Sequence, residues 1–404
     1  MLIKIKATSL PKSRNVDDGR PDVNLKADSS YTYVDSAESL ARLTEALSAT
    51  SRVGLDTEAD SLHHYFEKVC LIQLSFSGSN YVVDPLAGFS LSEFLEVLSR
   101  KELIVQGADY DLRMLKKSFD FRPKAPVFDT MLAAQVLGIE RIGLAALAEK
   151  YCGVMLSKAG QKSDWARRPL SAKQLDYASD DTKYLERIAD ALAHSLQESG
   201  RTEWHRECCE RVVETSGLEG KNDAKEAWRV KGSSGLAPKE LVYVRELWKW
   251  RDEEARRRDR PPFMILLNED LIELARWRAQ GPQEPLLPGP KFMKRITGEN
   301  LARLESAIRF AEELPLSEWP VAPERFRSRE RQPAPEKTEA LLTACKTIAG
   351  ELKIESCFLA SRATLTAVAR HEPRTIEKAM ETSGMMRWQA ALMLPAILSV
   401  LGDQ

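Results

Sequence analysis

The spacing of hydrophobic residues changes along the chain and divides it into segments. From Tyr31 to about residue 200, short apolar runs typical of buried strands alternate with amphipathic helical patterns. The apolar runs predict strands over four segments, namely 53–58, 69–76, 80–84 and 103–108. Because alternating strands and helices form layers around a sheet, the pattern predicts an α/β domain with a mixed central sheet and flanking helices.

After residue 235 the hydrophobic period is helical throughout. Helical patterns fill residues 236–315 and 336–404, interrupted by turns rich in proline and glycine. The run LKIESCFLASRATLTAVAR (352–370) repeats the order and spacing of MILLNEDLIELAR (264–276). This repetition indicates a diverged second copy of one helical module, with an unrelated helical cap as the alternative.

Composition marks the segments that connect these regions. Residues 1–30 show no periodicity and predict a flexible tail, whereas one connector mixes glycine, serine and charges and another is rich in proline. The predicted organisation is a tail (1–30), an α/β domain (31–215), a linker (216–235), a helical domain (236–315), a proline-rich linker (316–335) and a second helical domain (336–404).

Charge and cysteine content limit the partners that can be expected. The chain has 404 residues, and its 59 Lys and Arg are balanced by 60 Asp and Glu, so any surface for nucleic acid must be local. Its six cysteines lack zinc-site spacing, and no apolar run reaches the roughly 18 residues of a membrane span. The apolar stretch at the N-terminus is too short for a signal peptide. We therefore expect a cytoplasmic protein without membrane contact.

Candidate catalytic chemistry lies in three blocks: VGLDTEAD (53–60), GADYDLRML (107–115) and LDYASDDTKYL (175–185). Asp56 and Glu58 are two residues apart in a predicted strand, so both carboxylates project from one face. Tyr177 and Asp181 are four residues apart in a helical pattern and share one helix face. Since Mg²⁺ takes oxygen ligands from a few carboxylates and substrate phosphate, these residues and Asp111 suit a two-metal nuclease centre.

Each of these residues also has an ordinary explanation when it is taken alone. An Asp-x-Glu pair is often a solvated strand edge, Asp111 suits a helix N-terminus, and Tyr177 could be a half-buried core phenol. The apolar residues Val53 and Leu55, however, place the Asp-x-Glu pair at the end of a buried strand. The combination of all three blocks therefore indicates a metal site.

On these residues, the chain resembles the ribonuclease D family of 3′→5′ exonucleases. Asp56 and Glu58 match the Asp-x-Glu of the family's first motif, and Asp111 matches the aspartate of its second motif. Tyr177 and Asp181 match the Tyr-x-x-x-Asp of its third motif. The resemblance implies that the four acids hold two divalent cations, Mg²⁺ or Mn²⁺, and that all five residues are catalytic.

The resemblance extends from about residue 31 to about residue 315. It includes VFDTMLAAQVLG (127–138), GLAALAEKYCGV (143–154), SDWARRPLSAKQLDYASDD (163–181) and WRVKG (228–232). It also assigns no ligand role to Asp109 and Asp180, which spacing alone does not exclude. Gln106 stands where many relatives have histidine, at a position that does not bind metal.

The resemblance further implies an RNase H-like topology for the first domain and an HRDC-like fold, that of the helicase-and-RNase-D C-terminal domain, for the helical module. It implies roles within the site: Asp56 would bridge both cations, Glu58 and Asp181 would complete the site of the attacking water, and Asp111 would bind the other cation largely through waters. Tyr177, an ordinary phenol, would orient that water rather than deprotonate it.

The substrate implied by the resemblance is RNA, degraded from its 3′ end to nucleoside 5′-monophosphates during tRNA 3′ maturation and RNA processing. Candidate contacts to the last nucleotides are Trp165, Arg167 and Arg168, although Trp165 could instead pack against the helix that bears Tyr177. Candidate phosphate contacts lie at a later loop-to-helix junction, at Lys291, Lys294 and Arg295. A monomer is the default expectation.

Three other functions remain open from the sequence. A DNA 3′→5′ exonuclease would use the same carboxylates, and a response to the substrate 2′-hydroxyl would distinguish it. A non-catalytic RNA-binding scaffold would keep the fold, but such proteins usually lose a ligand, and all four acids are present. A protein-interaction hub draws support only from the helical residues 236–404.

Overall fold

The computed structural model describes residues 31–157, 160–218, 226–281, 290, 296–320 and 335–402. The predicted tail and parts of both predicted linkers lie outside these residues. Within the described part, an α/β region comes first and two groups of helices follow it.

A single six-stranded mixed sheet forms the centre of the first region. Its strands are β1 (Thr32–Val34), β2 (Arg52–Ala59), β3 (Val69–Phe76), β4 (Ser79–Val83), β5 (Glu102–Val105) and β6 (Val127–Asp129). The spatial order is β1-β4-β3-β2-β5-β6. Strands β2, β3 and β4 pair antiparallel, whereas β1 pairs with β4, β2 with β5, and β5 with β6 in parallel. The two central strands, β2 and β3, therefore have neighbours on both sides.

Helices cover both faces of this sheet. They are α1 (Ala37–Ser48), α2 (Ser92–Ser99), α3 (Ala108–Phe119), α4 (Thr130–Val136), α5 (Leu144–Cys152), α6 (Ala172–Lys183), α7 (Leu185–Glu198) and α8 (Thr202–Ser216). One apolar core, which includes Leu55, Ile72 and Leu115, lies between the sheet and α1, α2 and α3. On the other face, Leu71 and Val82 of the sheet pack against Ala178 of α6. The sheet is thus buried on both faces near its centre.

The first helical group forms its own apolar core. Its helices are α9 (Pro238–Arg258), α10 (Pro262–Ile265), α11 (Asn268–Gln280) and α12 (Glu299–Glu313). Leu247, Leu271 and Leu304 are fully or almost fully buried between these helices, together with Trp250. This core shares no buried residue with the α/β region, which is the behaviour of a separate module.

The second helical group instead shares a core with the α/β region. Its helices are α13 (Pro335–Leu352), α14 (Ser356–Leu359), α15 (Arg362–His371), α16 (Ile376–Ser383) and α17 (Arg387–Leu401). One apolar cluster joins Ala134 of α4 and Leu192 of α7 to Leu341 of α13 and Met393 of α17. The sequence pattern did not predict this docking, because the contacting residues are more than 140 positions apart.

Polar and aromatic contacts fix the same interface. The Arg201 guanidinium donates to the carbonyl oxygens of Val136 at 2.8 Å and Leu352 at 2.9 Å, so it joins the two regions. The Trp204 ring stacks on the Trp388 ring with centroids 4.9 Å apart. The C-terminal helices are therefore packed against the α/β region rather than tethered beside it.

The first helical group contacts the α/β region through the segment that follows β2. The Asp259 carboxylate, just after α9, lies 2.6 Å from His64 Nδ1 and accepts the backbone N–H of Tyr65 at 3.0 Å. The Tyr65 hydroxyl donates to Asp252 at 2.9 Å. This segment begins two residues after Glu58, so the helical group is attached next to the acidic block.

The four predicted strands correspond to β2, β3, β4 and β5, whereas β1 and β6, each of three residues, were not predicted. The prediction for 103–108 runs too far, because Gly107 adopts a left-handed conformation (φ 81°) and α3 begins directly after it. Strand β6 was not predicted, since three residues are too few to show a period. Among the described residues, no single helix is long and apolar enough to cross a membrane, and only α16 and α17 together, bent by 108°, meet that criterion.

Candidate metal-dependent active site

Strand β2 presents the first two acids at the centre of the sheet. Asp56 lies opposite Gln73 and Glu58 opposite Leu71 on the antiparallel neighbour β3. Directly paired residues point to the same face, so both carboxylates project towards the helix layer above β3. The sequence period predicted this shared face.

Close packing of α6 on the sheet brings the third block to these acids. Ser75 Oγ on β3 donates to the carbonyl oxygen of Thr182 at 2.6 Å. A Cβ atom on Gly54 would lie only 2.4 Å from Ser75 Oγ and 3.3 Å from the Thr182 oxygen, so glycine permits this approach. A capping box between Ser171 and Gln174 fixes where α6 begins. Asp181 is thereby held next to β2.

Three carboxylates converge at this contact. One oxygen from each of Asp56, Glu58 and Asp181 can be chosen so that all three lie within 4.8 Å of one another. Among the described residues, none of the three forms an ion pair with Lys, Arg or His. An oxygen-only cluster without neutralising cations of its own is the donor set that a hard divalent cation prefers.

Asp111 lies beside this group, but its carboxylate is partly engaged by the protein. Its Oδ1 accepts the backbone N–H of Thr57 at 3.1 Å and the Thr57 hydroxyl at 2.6 Å. Asp111 does not belong to the group of three within 4.8 Å, although its charge contributes to raising the pKa of Asp56 and Glu58. The oxygen Oδ2 remains for an outer contact to a cation.

Asp129 sets the position of the helix that carries Asp111. Its carboxylate accepts the backbone N–H groups of Gly107 at 3.0 Å and Ala108 at 2.8 Å at the start of α3. It also accepts those of Met131 and Leu132 at the start of α4. Asp129 was not predicted as a functional residue, although VFDTMLAAQ carries a signal for it, an aspartate directly before a helical run.

Burial and mutual repulsion raise the pKa of every acid in the cluster. Burial raises the pKa of Glu58 to about 9, with further contributions from the charges of Asp181 and Asp111. Burial raises the pKa of Asp111 and of Asp181 to about 7, against the hydrogen bonds of Thr57 and Tyr177, which lower it. Burial also raises the pKa of Asp56 well above its ordinary value. Divalent cations would relieve this repulsion.

Tyr177 lies one helical turn before Asp181 and donates a hydrogen bond to it. Burial, followed by the negative charge of Asp181, raises the pKa of this phenol above its ordinary value of 10. A Cβ atom on Gly160 would lie 2.3 Å from the Tyr177 ring, so the chain passes directly over it. The phenol therefore stays protonated at neutral pH: its O–H donates to Asp181, and its oxygen can still accept a hydrogen bond.

The two neighbouring acids lie outside the cluster. Asp109 is exposed on α3 and forms an ion pair with Arg113 at 2.8 Å. Asp180 is half-buried on α6, and burial raises its pKa. Neither belongs to the group of converging oxygens formed by the described residues.

The candidate substrate contacts occupy very different environments. Trp165 is only 1% exposed, and its ring packs 6.0 Å from that of Tyr177, which favours the packing interpretation over base stacking. Arg168 donates to both carboxylate oxygens of Asp84 and to the carbonyls of Trp165 and Cys70, so its guanidinium is engaged by the protein. Arg167 is exposed and lines a cleft beside Tyr177. Lys291, Lys294 and Arg295 lie outside the described residues.

Two clefts meet at Tyr177. One, of about 470 Å³, is lined by Arg141, Gly143, Gln161, Tyr177 and Asp181. The other, of about 690 Å³, is lined by Arg167, Lys173, Asp176, Tyr177 and Asp180. Tyr177 thus lines both clefts, and Asp181 of the acidic cluster lines the first.

Comparison with protein families agrees with this architecture. Residues 31–197 match a family model described as 3′-5′ exonuclease, and residues 240–284 match the HRDC domain. The two matches fall on the α/β region and on the first helical group.

Two proteins with similar sequences are both named ribonuclease D. Ribonuclease D of Xanthomonas oryzae pv. oryzae is 30% identical over 373 residues, which cover 89% of this chain and 96% of that protein. Ribonuclease D of Pseudomonas paraeruginosa is 31% identical over 313 residues, which cover 76% of this chain and 80% of that protein.

Similar solved structures extend the fold comparison to nearly the whole chain. The crystal structure of Escherichia coli RNase D, an exoribonuclease involved in structured RNA processing, has a TM-score of 0.68 at 23% identity and covers 92% of this chain and 98% of that one. The catalytic core of RRP6 from Trypanosoma brucei has a TM-score of 0.58 at 25% identity, covering 70% of this chain and 80% of that one. The predicted α/β domain followed by an HRDC-type helical region is confirmed.

Proposed function

The chain belongs to the ribonuclease D family and is a 3′→5′ exoribonuclease, and from this premise we propose that its catalytic centre consists of Asp56, Glu58, Asp111, Tyr177 and Asp181. The observation that carries the proposal is the convergence of three carboxylate oxygens within 4.8 Å, one of them from Asp181, which lines a cleft together with Tyr177. No other group of described residues offers such a set of three.

The donor set fits divalent cations. Asp56, Glu58 and Asp181 would hold them directly, and Asp111 would contribute through Oδ2 because Thr57 occupies Oδ1. Two cations, Mg²⁺ or Mn²⁺, would make a bound water acidic enough to attack the scissile phosphate and would stabilise charge on the leaving 3′ oxygen. Burial of these carboxylates and the charges of neighbouring acids raise their pKa values, and bound cations would offset both effects.

The protein's own part in the reaction is positioning. Tyr177 donates its O–H to Asp181 and stays protonated, so its oxygen can orient the attacking water by accepting a hydrogen bond but cannot take up the water's proton at neutral pH. Asp129 and Thr57 hold Asp111 in place. Gly54 lets α6 approach the sheet closely enough for Asp181 to join the acids of β2.

We assign RNA as the substrate because the relatives carry the name ribonuclease D and a structural neighbour acts in structured RNA processing. The terminal nucleotide would enter beside Tyr177, where Arg167 is the exposed cation among the three candidates of the sequence analysis. A role in trimming tRNA precursors or other structured 3′ ends follows the family.

We further propose the domain order predicted from the sequence, in which residues 336–404 form a second, diverged HRDC-like module. Both helical groups start with a long helix, followed by a left-handed residue, Asp259 or Lys353, and a four-residue helix. The residues after the short helices, Leu266 and Ala360, have nearly identical backbone angles. This agreement supports a repeat over an unrelated helical cap.

We also propose that the protein is a monomer in the cytoplasm. Support for a reducing compartment comes from the six cysteines, all of which are unpaired.

Degradation assays with labelled oligonucleotides test the proposed function. A 5′-labelled single-stranded RNA, its DNA counterpart and the same RNA with a blocked 3′ end are incubated with Mg²⁺, Mn²⁺ or EDTA. We expect a ladder that shortens from the free 3′ end of RNA, with either cation and not with EDTA, and with nucleoside 5′-monophosphates as products. Preferential degradation of the DNA would indicate a DNA 3′→5′ exonuclease instead. The absence of a ladder on any substrate would favour a non-catalytic RNA-binding scaffold.

A further inference from the structure

Two glutamines are buried among the residues that the structure describes, and they differ in their hydrogen bonds. Gln389 in α17 donates to the Phe358 carbonyl at 2.8 Å and accepts the Met386 N–H at 2.9 Å. Gln73 in β3 is 0% exposed, and neither its carboxamide nitrogen nor its oxygen has a partner among the described residues. Burying an unpaired amide is unfavourable, so Gln73 requires an explanation.

The position of Gln73 beside Asp56 suggests why its amide is buried. It is the residue directly opposite Asp56, and such a cross-strand pair has Cβ atoms roughly 4.5–5.5 Å apart on the same face of the sheet. Ser75, two residues along on the same face, contacts the Thr182 carbonyl, so α6 covers this face and separates Gln73 from solvent. The carboxamide therefore lies beside the acidic cluster, inside the protein.

Gln73 could give Asp56 a neutral hydrogen-bond donor in addition to the Thr57 backbone N–H. The charges that act on Asp56 come from Asp111, Asp181 and Glu58, all of them acids. A carboxamide is uncharged and carries two N–H donors, so it can bind a carboxylate without displacing a cation from it. Hydrogen bonds of this kind fix the orientation of carboxylates that hold metals.

We propose that Gln73 is a positioning residue for the metal centre, whose carboxamide N–H donates to the Asp56 carboxylate when the acidic cluster binds its cations. The inference rests on the proposed catalytic centre. The carboxamide has no partner among the described residues, so a hydrogen bond to Asp56 would satisfy this buried group and would add to the affinity for the cations.

Two matched substitutions test the assignment. Gln73→Met and Gln389→Met each remove a buried carboxamide and keep a linear side chain of similar length. For Gln73→Met we expect Mn²⁺ affinity, measured by calorimetry, to fall about 10-fold or more, and the melting temperature in EDTA to stay equal or rise. For Gln389→Met we expect the reverse, a lower melting temperature in EDTA and unchanged Mn²⁺ affinity. Gln73→Leu is measured as well, so that a poor fit of the methionine side chain alone cannot account for the result.

A second buried atom without a partner among the described residues provides a further control. Thr182 Oγ1 lies in the same layer, and Thr182→Val removes it while preserving shape. We expect this variant to keep wild-type Mn²⁺ affinity. An equal loss in Thr182→Val and Gln73→Met would show that the carboxamide acts through Thr182, which overturns the assignment.

The remaining outcomes separate this inference from the proposed function. Unchanged Mn²⁺ affinity in Gln73→Met, or a loss of stability in EDTA like that of Gln389→Met, overturns the role of Gln73 alone, provided that Asp56→Asn abolishes binding. If Asp56→Asn keeps wild-type affinity, the metal centre itself is wrong and the role of Gln73 fails with it.

Discussion

At the scale of single residues, burial and charge oppose each other in the proposed active site. Asp56, Glu58 and Asp181 are held close together by the fold, although their proximity and burial raise the pKa of each carboxyl. The period of the sequence predicted which side chains share a face, because that depends on spacing within one element. The capture of Asp111 by Thr57 could not be predicted, since it joins residues 54 positions apart.

Substituting Tyr177 separates orientation of the water from metal binding. Tyr177→Phe keeps the ring that packs near Trp165 and Gly160 and removes the donor to Asp181. We expect turnover to fall on the order of 100-fold, as for loss of one positioned donor, with unchanged Mn²⁺ affinity. Single-turnover rates at saturating metal and calorimetry measure the two quantities. A matching loss of metal affinity would assign the phenol a role in the metal site instead.

The raised pKa of Glu58 predicts how stability depends on pH in the metal-free protein. Because its folded pKa of about 9 exceeds the ordinary value of 4.5, the folded state binds the proton more tightly. Its contribution is fully present below about pH 4 and is lost as the pH rises towards 9. We therefore expect Glu58→Gln to melt progressively higher than the wild type in EDTA as the pH rises from about 6 to about 9.

The stabilisation that cations provide should increase with pH, whereas the stability of the wild type in EDTA should decrease. Since cations bind the deprotonated carboxylates, the rise in melting temperature that Mg²⁺ causes should grow over the same pH range in the wild type. Thermal melts of both proteins, with EDTA or Mg²⁺, measure the two effects together. If the melting temperatures of Glu58→Gln and the wild type in EDTA differ by the same amount at every pH, the raised pKa assigned to the buried Glu58 carboxyl is wrong.

At the scale of elements, the site depends on how two helices meet the sheet. Helix α6 reaches β2 because Gly54 has no side chain, and α3 is held at its first turn by Asp129. Strands β2 and β3 could be predicted because each is eight residues long and rich in apolar residues. Strand β6 is too short for a pattern, so the position of Asp129 at its end followed only from the structure.

Removing the Asp129 carboxylate should loosen both helices that begin beside it. Asp129→Ala leaves four backbone N–H groups without their acceptor, at the starts of α3 and α4. Two lost caps predict a loss of roughly 1–4 kcal/mol in the free energy of unfolding. Denaturant melts measure it, with Ser36→Ala, which removes the single exposed cap of α1, as the comparison. If Asp129→Ala costs no more than Ser36→Ala, the double-cap assignment is wrong.

At the scale of the whole molecule, the two helical groups are attached to the α/β region in different ways. The C-terminal group shares an apolar core with α4, α7 and α8, whereas the first group is joined through polar contacts to the segment after β2. The sequence predicted that both groups are helical and follow the exonuclease region. It could not predict these attachments, because helical periodicity shows that a face is apolar but not what covers it.

The contact at Asp259 should order the segment that leads out of the metal site. Asp259→Gly removes the carboxylate that contacts His64 and the Tyr65 N–H, and glycine accepts the left-handed conformation (φ 47°) at this position. We expect faster amide exchange in residues 61–67 and a several-fold loss of activity on long RNA. Glu313→Ala, on an exposed position of α12, is the control. Unaltered exchange in 61–67 would show that the helical group does not order this segment.

The most direct test of the catalytic centre compares two aspartates that sequence spacing alone could not distinguish. Asp56 belongs to the converging cluster, whereas Asp109 is exposed and paired with Arg113. Asp56→Asn and Asp109→Asn are assayed on the same 5′-labelled RNA with Mg²⁺ and Mn²⁺. We predict a wild-type ladder for Asp109→Asn and no ladder for Asp56→Asn with either cation. A ladder from Asp56→Asn comparable with that of the wild type would contradict the account.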